Sequence, residues 1–201
     1  MKNTIKNSKK GILMVIMFTT MLSFANESSL FKIKNEATRT SLTLLNVKQG
    51  NLLSVKDVNG IVLYKEFMQK SGNYTKGFDL TALPDGNYIF ELEKDLEINT
   101  IPFTVNSNTV LFDKEKETTV FKPMFIVKDD MVMVSKLDLK EEPVNIKIYF
   151  LGNYSEELMH SESIENTKAI HKAYKLTGLK YGGYRIVCQF GGKEFTKIIN
   201  I

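Results

Sequence analysis

Cys188 is the only cysteine of the 201-residue chain and the candidate nucleophile for covalent catalysis. Cysteine catalysis needs a histidine to take the thiol proton and a further group to orient that histidine. Cys188 instead lies in an apolar stretch in which it shares one strand face with Tyr184, Ile186 and Phe190. The sequence therefore predicts a buried structural cysteine, and a single cysteine cannot form an internal disulfide.

The two histidines, His160 and His171, are the candidates for a general base or a metal ligand. His160 is predicted on a strand and His171 in the next connection, and two separated histidines make no zinc site without further ligands. Asp129-Asp130 lacks the spaced oxygen ligands of a calcium loop, so a hairpin turn is predicted there. Glu156-Glu157 is predicted to be another polar turn. The sequence therefore predicts no catalytic residue, no metal site and no cofactor.

Tyrosines are the candidate binding residues, because flat aromatic rings are common platforms for sugars. Tyr64, Tyr74, Tyr154 and Tyr181 are the candidates for exposed rings in a chain without tryptophan. Two of them lie in similar loop-like sequences, Asn73-Tyr74-Thr75 and Asn153-Tyr154-Ser155. Each is either a glycosylation acceptor or a turn with a packed tyrosine, and the packed turn is favoured.

The first 25 residues have the order of a secretory signal. Four lysines, with no acidic residue, precede an apolar stretch over residues 11–24, which ends in Ser23-Phe24-Ala25. Small residues before the cut are typical of signal peptidase substrates, so cleavage is predicted between Ala25 and Asn26. An uncleaved anchor is the alternative, but this stretch is shorter than the ~20 apolar residues of a membrane span. We therefore expect export to the periplasm, the cell surface or the medium.

The net charge argues against nucleic-acid partners. The chain carries a formal charge of +4, and the four lysines of the signal account for all of it. The mature chain is then neutral, whereas nucleic-acid binding depends on the neutralisation of phosphates. The predicted partners are an unknown protein or glycan at the cell envelope. The predicted contact with a membrane, with signal peptidase and with the export machinery occurs only through the transient signal.

An internal repeat organises the mature chain. Residues 78–88 reappear at an offset of 96 as residues 174–184, and Glu66 and Lys76 fall on Glu162 and Lys172 at the same offset. Residues 53–57 match residues 146–150 at an offset of 93, so the second copy carries three extra residues in the turn between. An insertion in a turn between matched segments is typical of a duplicated domain. The alternative is shared β-sandwich patterning without common ancestry.

Each copy has the pattern of β-strands. Tyr88, Phe90 and Leu92 alternate with polar or outward positions, as in half-buried strands. Asp57-Val58-Asn59-Gly60 is a strong hairpin signal, and Leu83-Pro84-Asp85-Gly86 is a turn in which Gly86 is expected to supply a positive φ.

These patterns predict an all-β chain of two tandem Ig-like or fibronectin-III-like β-sandwich domains from an internal duplication, after the signal peptide. The first domain spans residues 26–105, the linker residues 106–117, where a short strand is possible, and the second domain residues 118–201.

The repeat sequence also resembles known families. Residues 78–92 resemble small secreted Ig-like or fibronectin-III-like domains of Bacteroidetes. The segment Leu179-Lys180-Tyr181-Gly182-Gly183-Tyr184, followed by Gly191-Gly192-Lys193 and Lys197, resembles the end of type IX secretion C-terminal sorting domains. That family implies a β-sandwich that an outer-membrane translocon recognises. However, the second domain has no Pro-Asn-Pro-like opening, and the same pattern occurs in the first domain, where it is not terminal.

The favoured function is therefore an exported, non-enzymatic binding or structural module of unknown ligand. The first alternative is a secreted protein whose C-terminal domain directs sorting or anchoring. The second alternative is an enzyme of unrecognised type.

Overall fold

The computed structural model describes residues 30–36, 39–152, 154–176 and 182–200. They form antiparallel strands with 3-10 helices at Leu80–Ala82 and Lys114–Lys116, so the all-β prediction is confirmed. Within these ranges no helix is long and apolar enough to cross a membrane. The strands in chain order are β1 (Phe31–Glu36), β2 (Arg39–Val47), β3 (Leu52–Asp57), β4 (Val62–Phe67), β5 (Gly72–Phe78), β6 (Gly86–Glu93), β7 (Glu97–Asn106), β8 (Thr109–Phe112), β9 (Thr118–Phe121), β10 (Met124–Lys128), β11 (Met131–Leu137), β12 (Val144–Leu151), β13 (Glu156–Ile164), β14 (Ala169–Lys175), β15 (Gly183–Phe190) and β16 (Lys193–Asn200).

The first half of the chain is a β-sandwich. One sheet has the strand order β1-β2-β5, and the other has the order β4-β3-β6-β7-β8. Leu42 and Leu44 from the first sheet belong to the same buried cluster as Leu53 and Phe90 from the second. Two sheets that bury their inner faces in one core form a sandwich.

The second half of the chain is a sandwich with the same strand order. Its sheets have the orders β10-β11-β14 and β13-β12-β15-β16. Val132 and Val134 from the smaller sheet lie in one buried cluster with Ile146 and Ile186 from the larger. Each strand from β10 to β16 therefore has a counterpart among β1 to β7.

The strand registers of the two halves also match. The pairs at the centre of the larger sheets are Leu53–Leu92, Val55–Phe90 and Asp57–Tyr88 in the first half, and Ile146–Cys188, Ile148–Ile186 and Phe150–Tyr184 in the second. These are the positions that the sequence offsets of 93 and 96 align. An irregularity in the pairing with the outer strand follows Val55 in one half and Ile148 in the other.

The predicted turn before β6 exists, but the role predicted for Gly86 is wrong. Gly86 begins β6 and does not have a positive φ. The turn is held instead by Tyr88, whose hydroxyl donates a 2.7 Å hydrogen bond to the Pro84 carbonyl oxygen. Tyr88, Phe90 and Leu92 face the core, as their alternation predicts.

Both predicted hairpins are confirmed. In the β3–β4 turn, the Asp57 carboxylate accepts hydrogen bonds from the amides of Asn59 and Ile61 at 2.9 and 2.8 Å. Gly60 has the positive φ that such a turn favours, +81°. Asp129 and Asp130 form the turn between β10 and β11.

The segment predicted to join the two domains is paired with the first sandwich. β8 pairs with residues 103–106 of β7. β9, at the predicted start of the second domain, pairs with residues 97–100 of the same strand. The two short strands thus follow the outer edge of β7 one after the other.

Candidate functional site: the cleft between the two sandwiches

A polar cleft of about 770 Å³ lies between the larger sheet of the first sandwich and the β15–β16 hairpin of the second. Charged side chains from both halves line it. Those of the first half are Lys56, Asp57, Glu91 and Glu93, and those of the second half are Lys140, Glu142, Lys193 and Glu194.

Glu91 is the central charged group of the cleft. It lies on the outward face of β6, yet it is only 6% exposed. Its two carboxylate oxygens accept hydrogen bonds from Lys56 at 2.6 Å and from Lys193 at 2.7 Å. Burial alone would raise the pKa of Glu91, but the two hydrogen bonds outweigh burial and hold the pKa below its usual range. A single carboxylate therefore ties β3 of the first sandwich to β16 of the second.

β9 makes a second connection between the sandwiches. Its backbone pairs with β7, and the Thr118 and Thr100 hydroxyls lie 2.8 Å apart. The Val120 side chain of the same strand packs against the core of the second sandwich. One strand therefore extends the sheet of one sandwich and contributes to the core of the other.

Glycines of two hairpin turns line the cleft. Gly60, Gly191 and Gly192 line it, and all three have positive φ. No atom lies within 4 Å of the position that a Cβ would occupy at Gly60 or Gly192. Mixed charges beside exposed turns suit a polar ligand that offers several hydrogen-bonding groups.

Each sandwich also has a carboxylate cluster between its two sheets. The first cluster lies on β4 and β5, and the second lies on β13 and β14. In the first sandwich, Glu66 accepts hydrogen bonds from Tyr64, from Tyr74 at 2.8 Å and from Lys76 at 2.6 Å. The hydrogen bond from Lys76, followed by that from Tyr64, lowers the pKa of Glu66 to about 2. Burial and the bond to Glu66 raise the pKa of Tyr74 to about 12.

The second cluster has its carboxylate and lysine 96 residues later, but its tyrosine occupies the position of Phe78 rather than that of Tyr74. Glu162 accepts hydrogen bonds from Lys172 at 2.8 Å and from Tyr174. His160 takes the place of Tyr64, with its Nε2 3.5 Å from the Glu162 carboxylate. The His160 ring lies 5.3 Å from the Tyr174 ring, much as the Tyr64 ring lies 5.4 Å from that of Phe78. The partners of both carboxylates are already in place, so these clusters are structural.

Cys188 is buried at 0% exposure in the second core, opposite Ile146, so the prediction of a structural cysteine is confirmed. Burial raises the pKa of the Cys188 thiol to about 11. A thiol with this pKa is protonated at neutral pH and a poor nucleophile.

The histidines and acidic pairs do not converge. His171 lies in β14 rather than in a connection, which corrects the prediction, and its Nδ1 is 3.3 Å from the Ser135 hydroxyl. Glu156-Glu157 is not a turn but the start of β13, because Glu156 and Glu157 pair with the end of β12. The guanidinium of Arg185 binds both Glu156 carboxylate oxygens at 2.6 and 2.8 Å. Asp130 lies 3.6 Å from Lys175.

The tyrosine predictions hold only in part. Asn73-Tyr74-Thr75 lies within β5 rather than in a loop, and Tyr74 is packed against the Glu66 cluster. Tyr154 is fully exposed, at 102%, so the packed turn predicted around it is wrong. Asn153 and Tyr181 lie outside the described residues.

Three buried charged groups, Glu91, Lys136 and Asp138, had no clear sequence signal. Glu91 occupies an outward strand position, and only the second sandwich buries it. Lys136 is 5% exposed on the inward face of β11. Its Nζ lies 3.9 Å from the centre of the Phe190 ring and forms an ion pair at 3.2 Å with Asp138.

The predicted signal cleavage site, Ala25 and Asn26, also lies outside the described residues. Across the residues that the structure does describe, no group of three or more His, Cys, Asp or Glu side chains is placed to hold a metal ion.

Comparisons with known proteins give no family. No family model matches the chain, and no curated protein matches it. Among solved structures, the chain is similar to a biofilm associated protein, BSP domain, at 13% identity and a TM-score of 0.28. The match covers 85% of this chain and 29% of that one. This TM-score is too low to define a shared fold.

Proposed function

We propose that the chain is an exported, non-enzymatic structural or binding module of the cell envelope. In this proposal, two tandem Ig-like or fibronectin-III-like domains from an internal duplication act as one stiff unit. The cleft between them is the surface that a polar partner, either a protein or a glycan, occupies. The observation that carries the proposal is the connection of the two sandwiches through Glu91 and β9.

Strand order and one tyrosine support the Ig-like assignment. Each half has a three-stranded sheet facing a larger antiparallel sheet, as Ig-like sandwiches do. Tyr88, near the start of the sixth strand, bonds back to the Pro84 carbonyl oxygen four residues upstream. This contact matches the tyrosine corner of that architecture.

The matched registers and the two carboxylate clusters support the duplication. Patterning for a sandwich requires inward apolar residues, but it does not require a half-buried carboxylate bonded to a lysine of the opposite sheet. Glu66 and Lys76 form such a pair in one half, and Glu162 and Lys172 form it in the other. Common descent explains why both polar pairs lie 96 residues apart.

The connection between the sandwiches supports a structural or binding role. A buried ion pair that is hydrogen-bonded on both oxygens fixes geometry, since breaking it leaves charges without partners. A fixed geometry holds the cleft open at a constant width and keeps the two ends of the molecule at a constant spacing. Both properties suit a spacer or a binding platform.

Deletion of the second sandwich distinguishes this proposal from the alternative that the second sandwich is a sorting domain. The truncated chain should stop after Lys122, because β9 and the 2.8 Å Lys122–Glu93 ion pair then remain with the first sandwich. We expect the truncated chain to be exported and to reach the same compartment as the full chain, because the export signal lies in residues 1–25. Fractionation of the native host measures this distribution.

A matched control deletes the predicted signal and keeps the second sandwich. A chain without residues 2–25 should stay in the cytoplasm. If the truncated chain is processed normally but trapped in the periplasm while the full chain reaches the surface, the second sandwich is a sorting domain and the proposal is wrong.

A further inference from the structure

Among the described strands, β10 is an edge of the smaller sheet in the second sandwich, and its register joins it to β11 alone. An edge strand presents unpaired main-chain amides and carbonyls, which another strand can bind. Proteins usually protect such edges with lysine, proline or a bulge. β10 has none of these between Met124 and Val127, although Pro123 directly precedes the strand and Lys128 ends it.

The outer face of the same sheet carries an apolar patch, bordered by Ser135 and His171. Met124 and Ile126 on β10 are 49% and 46% exposed. The register places Met133 beside Ile126, and Ala173 of β14 beside Met133. Leu137 is also exposed on this face. An unpaired edge and an exposed apolar patch are thus continuous.

The corresponding sheet of the first sandwich is protected. Lys32 and Lys34 of β1 occupy the positions of Met124 and Ile126, since Ile33 pairs with Leu42 as Phe125 pairs with Val134. Ser41 stands where β11 has Met133. The same strand order therefore carries a basic, polar face in one half and an apolar patch in the other, so the fold alone does not require the apolar patch.

We propose that β10 is a self-pairing edge through which two copies of this chain form a dimer. The two β10 strands run antiparallel about a two-fold axis at Ile126. The two three-stranded sheets then continue into one sheet, and the two apolar patches become contiguous.

Charge favours a second copy in this orientation. Lys128 is the one charged residue of β10 and lies at its end. In the antiparallel pair, Lys128 of one copy lies beside Met124 of the other. The backbones of the two lysines are then about 14 Å apart along the strands, at about 3.4 Å per residue, which exceeds the Debye length of about 8 Å at physiological salt. A parallel pair would place them side by side.

A copy that offered β1 instead fits less well. Lys32 and Lys34 would then lie against Met124 and Ile126, where their ammonium groups lose water without gaining an acceptor. A contact between two different surfaces would also continue into a chain of copies, whereas the contact of one surface with itself closes at two.

Analytical ultracentrifugation of the chain purified from its exported form tests the proposal. We expect the mass to double as the concentration rises through the micromolar range, because a single strand pair is a small interface. Ile126→Lys should abolish the doubling. Leu111→Lys is the matched control, since Leu111 is 64% exposed on β8 of the other sandwich, and it should leave the doubling unchanged. Equal thermal unfolding of both variants shows that their folds are intact.

Crosslinking tests the register. Ile126→Cys should form a disulfide-linked dimer under mild oxidation, while Leu111→Cys should not, and the buried Cys188 should stay reduced in both. A chain that remains monomeric at all concentrations would overturn the proposal. So would a dimer that Ile126→Lys does not weaken, or growth beyond two copies.

Discussion

Replacement of Glu91 by alanine is expected to lower the free energy of unfolding by about 2 to 3 kcal/mol. Removal of one partner from a buried ion pair costs about 3 to 5 kcal/mol. The effect here is smaller because the side chains of Lys56 and Lys193 remain 26% and 29% exposed. Urea unfolding, followed by circular dichroism, measures the change.

Two further variants make the Glu91 result specific. Glu194→Ala removes a carboxylate from the exposed side of β16, where it accepts a hydrogen bond from Gln189, and should change stability little. A double-mutant cycle between Glu91→Gln and Lys193→Met should give a clearly favourable coupling energy across the cleft. A coupling energy of zero would mean that Glu91 does not connect the two sandwiches in solution.

The same contact predicts how stability depends on pH. The pKa of Glu91 is lowered in the folded state, against competing burial, by hydrogen bonds from Lys193 and Lys56. The contribution of Glu91 to the free energy of unfolding is therefore fully present above the pKa of about 4.3 that glutamate has in the unfolded chain. This contribution is lost as pH falls through the lower pKa of Glu91 in the folded state. In the Glu91→Gln variant, this part of the decrease in the free energy of unfolding at acidic pH should disappear.

Replacement of Phe90 by alanine is expected to lower the free energy of unfolding by about 3 to 5 kcal/mol. Phe90 is completely buried, and its ring lies 5.1 Å from that of Phe78 and 5.2 Å from that of Phe103. The truncation removes contacts with both sheets of the first sandwich. Thermal and urea unfolding measure the loss.

Leu111→Ala is the control for Phe90→Ala. Leu111 is apolar and lies on β8 of the same sandwich, but it is exposed, so its truncation should change stability by less than about 0.5 kcal/mol. Equal effects of the two variants would contradict the core assignment.

Sequence periodicity and turn residues predicted the features that depend on one strand or one turn alone. Tyr88, Phe90 and Leu92 face the core because side chains alternate along a strand, and the Asp57–Gly60 turn follows from its Asn-Gly pair. Local chemistry was sufficient for these features. The offsets of 93 and 96 align residues that hold matching positions in the two sandwiches.

Pairing with other strands and contacts between the sandwiches account for the errors. Glu156 begins β13 because β12 pairs with it. Tyr74 lies on a strand because β2 pairs with it, although its polar neighbours suggested a loop. Glu91 is buried by a different sandwich. Alternation within β6 predicts that Glu91 faces outward, but it does not predict what covers that face.

The intact mass of the protein recovered from the envelope or the medium of its native host tests the central claim most directly. We expect the mass of residues 26–201, because the claim requires both a cut between Ala25 and Asn26 and the retention of both sandwiches. The mass of the uncut chain would contradict the export signal, and a mass without the second sandwich would contradict its role as part of a permanent two-domain module.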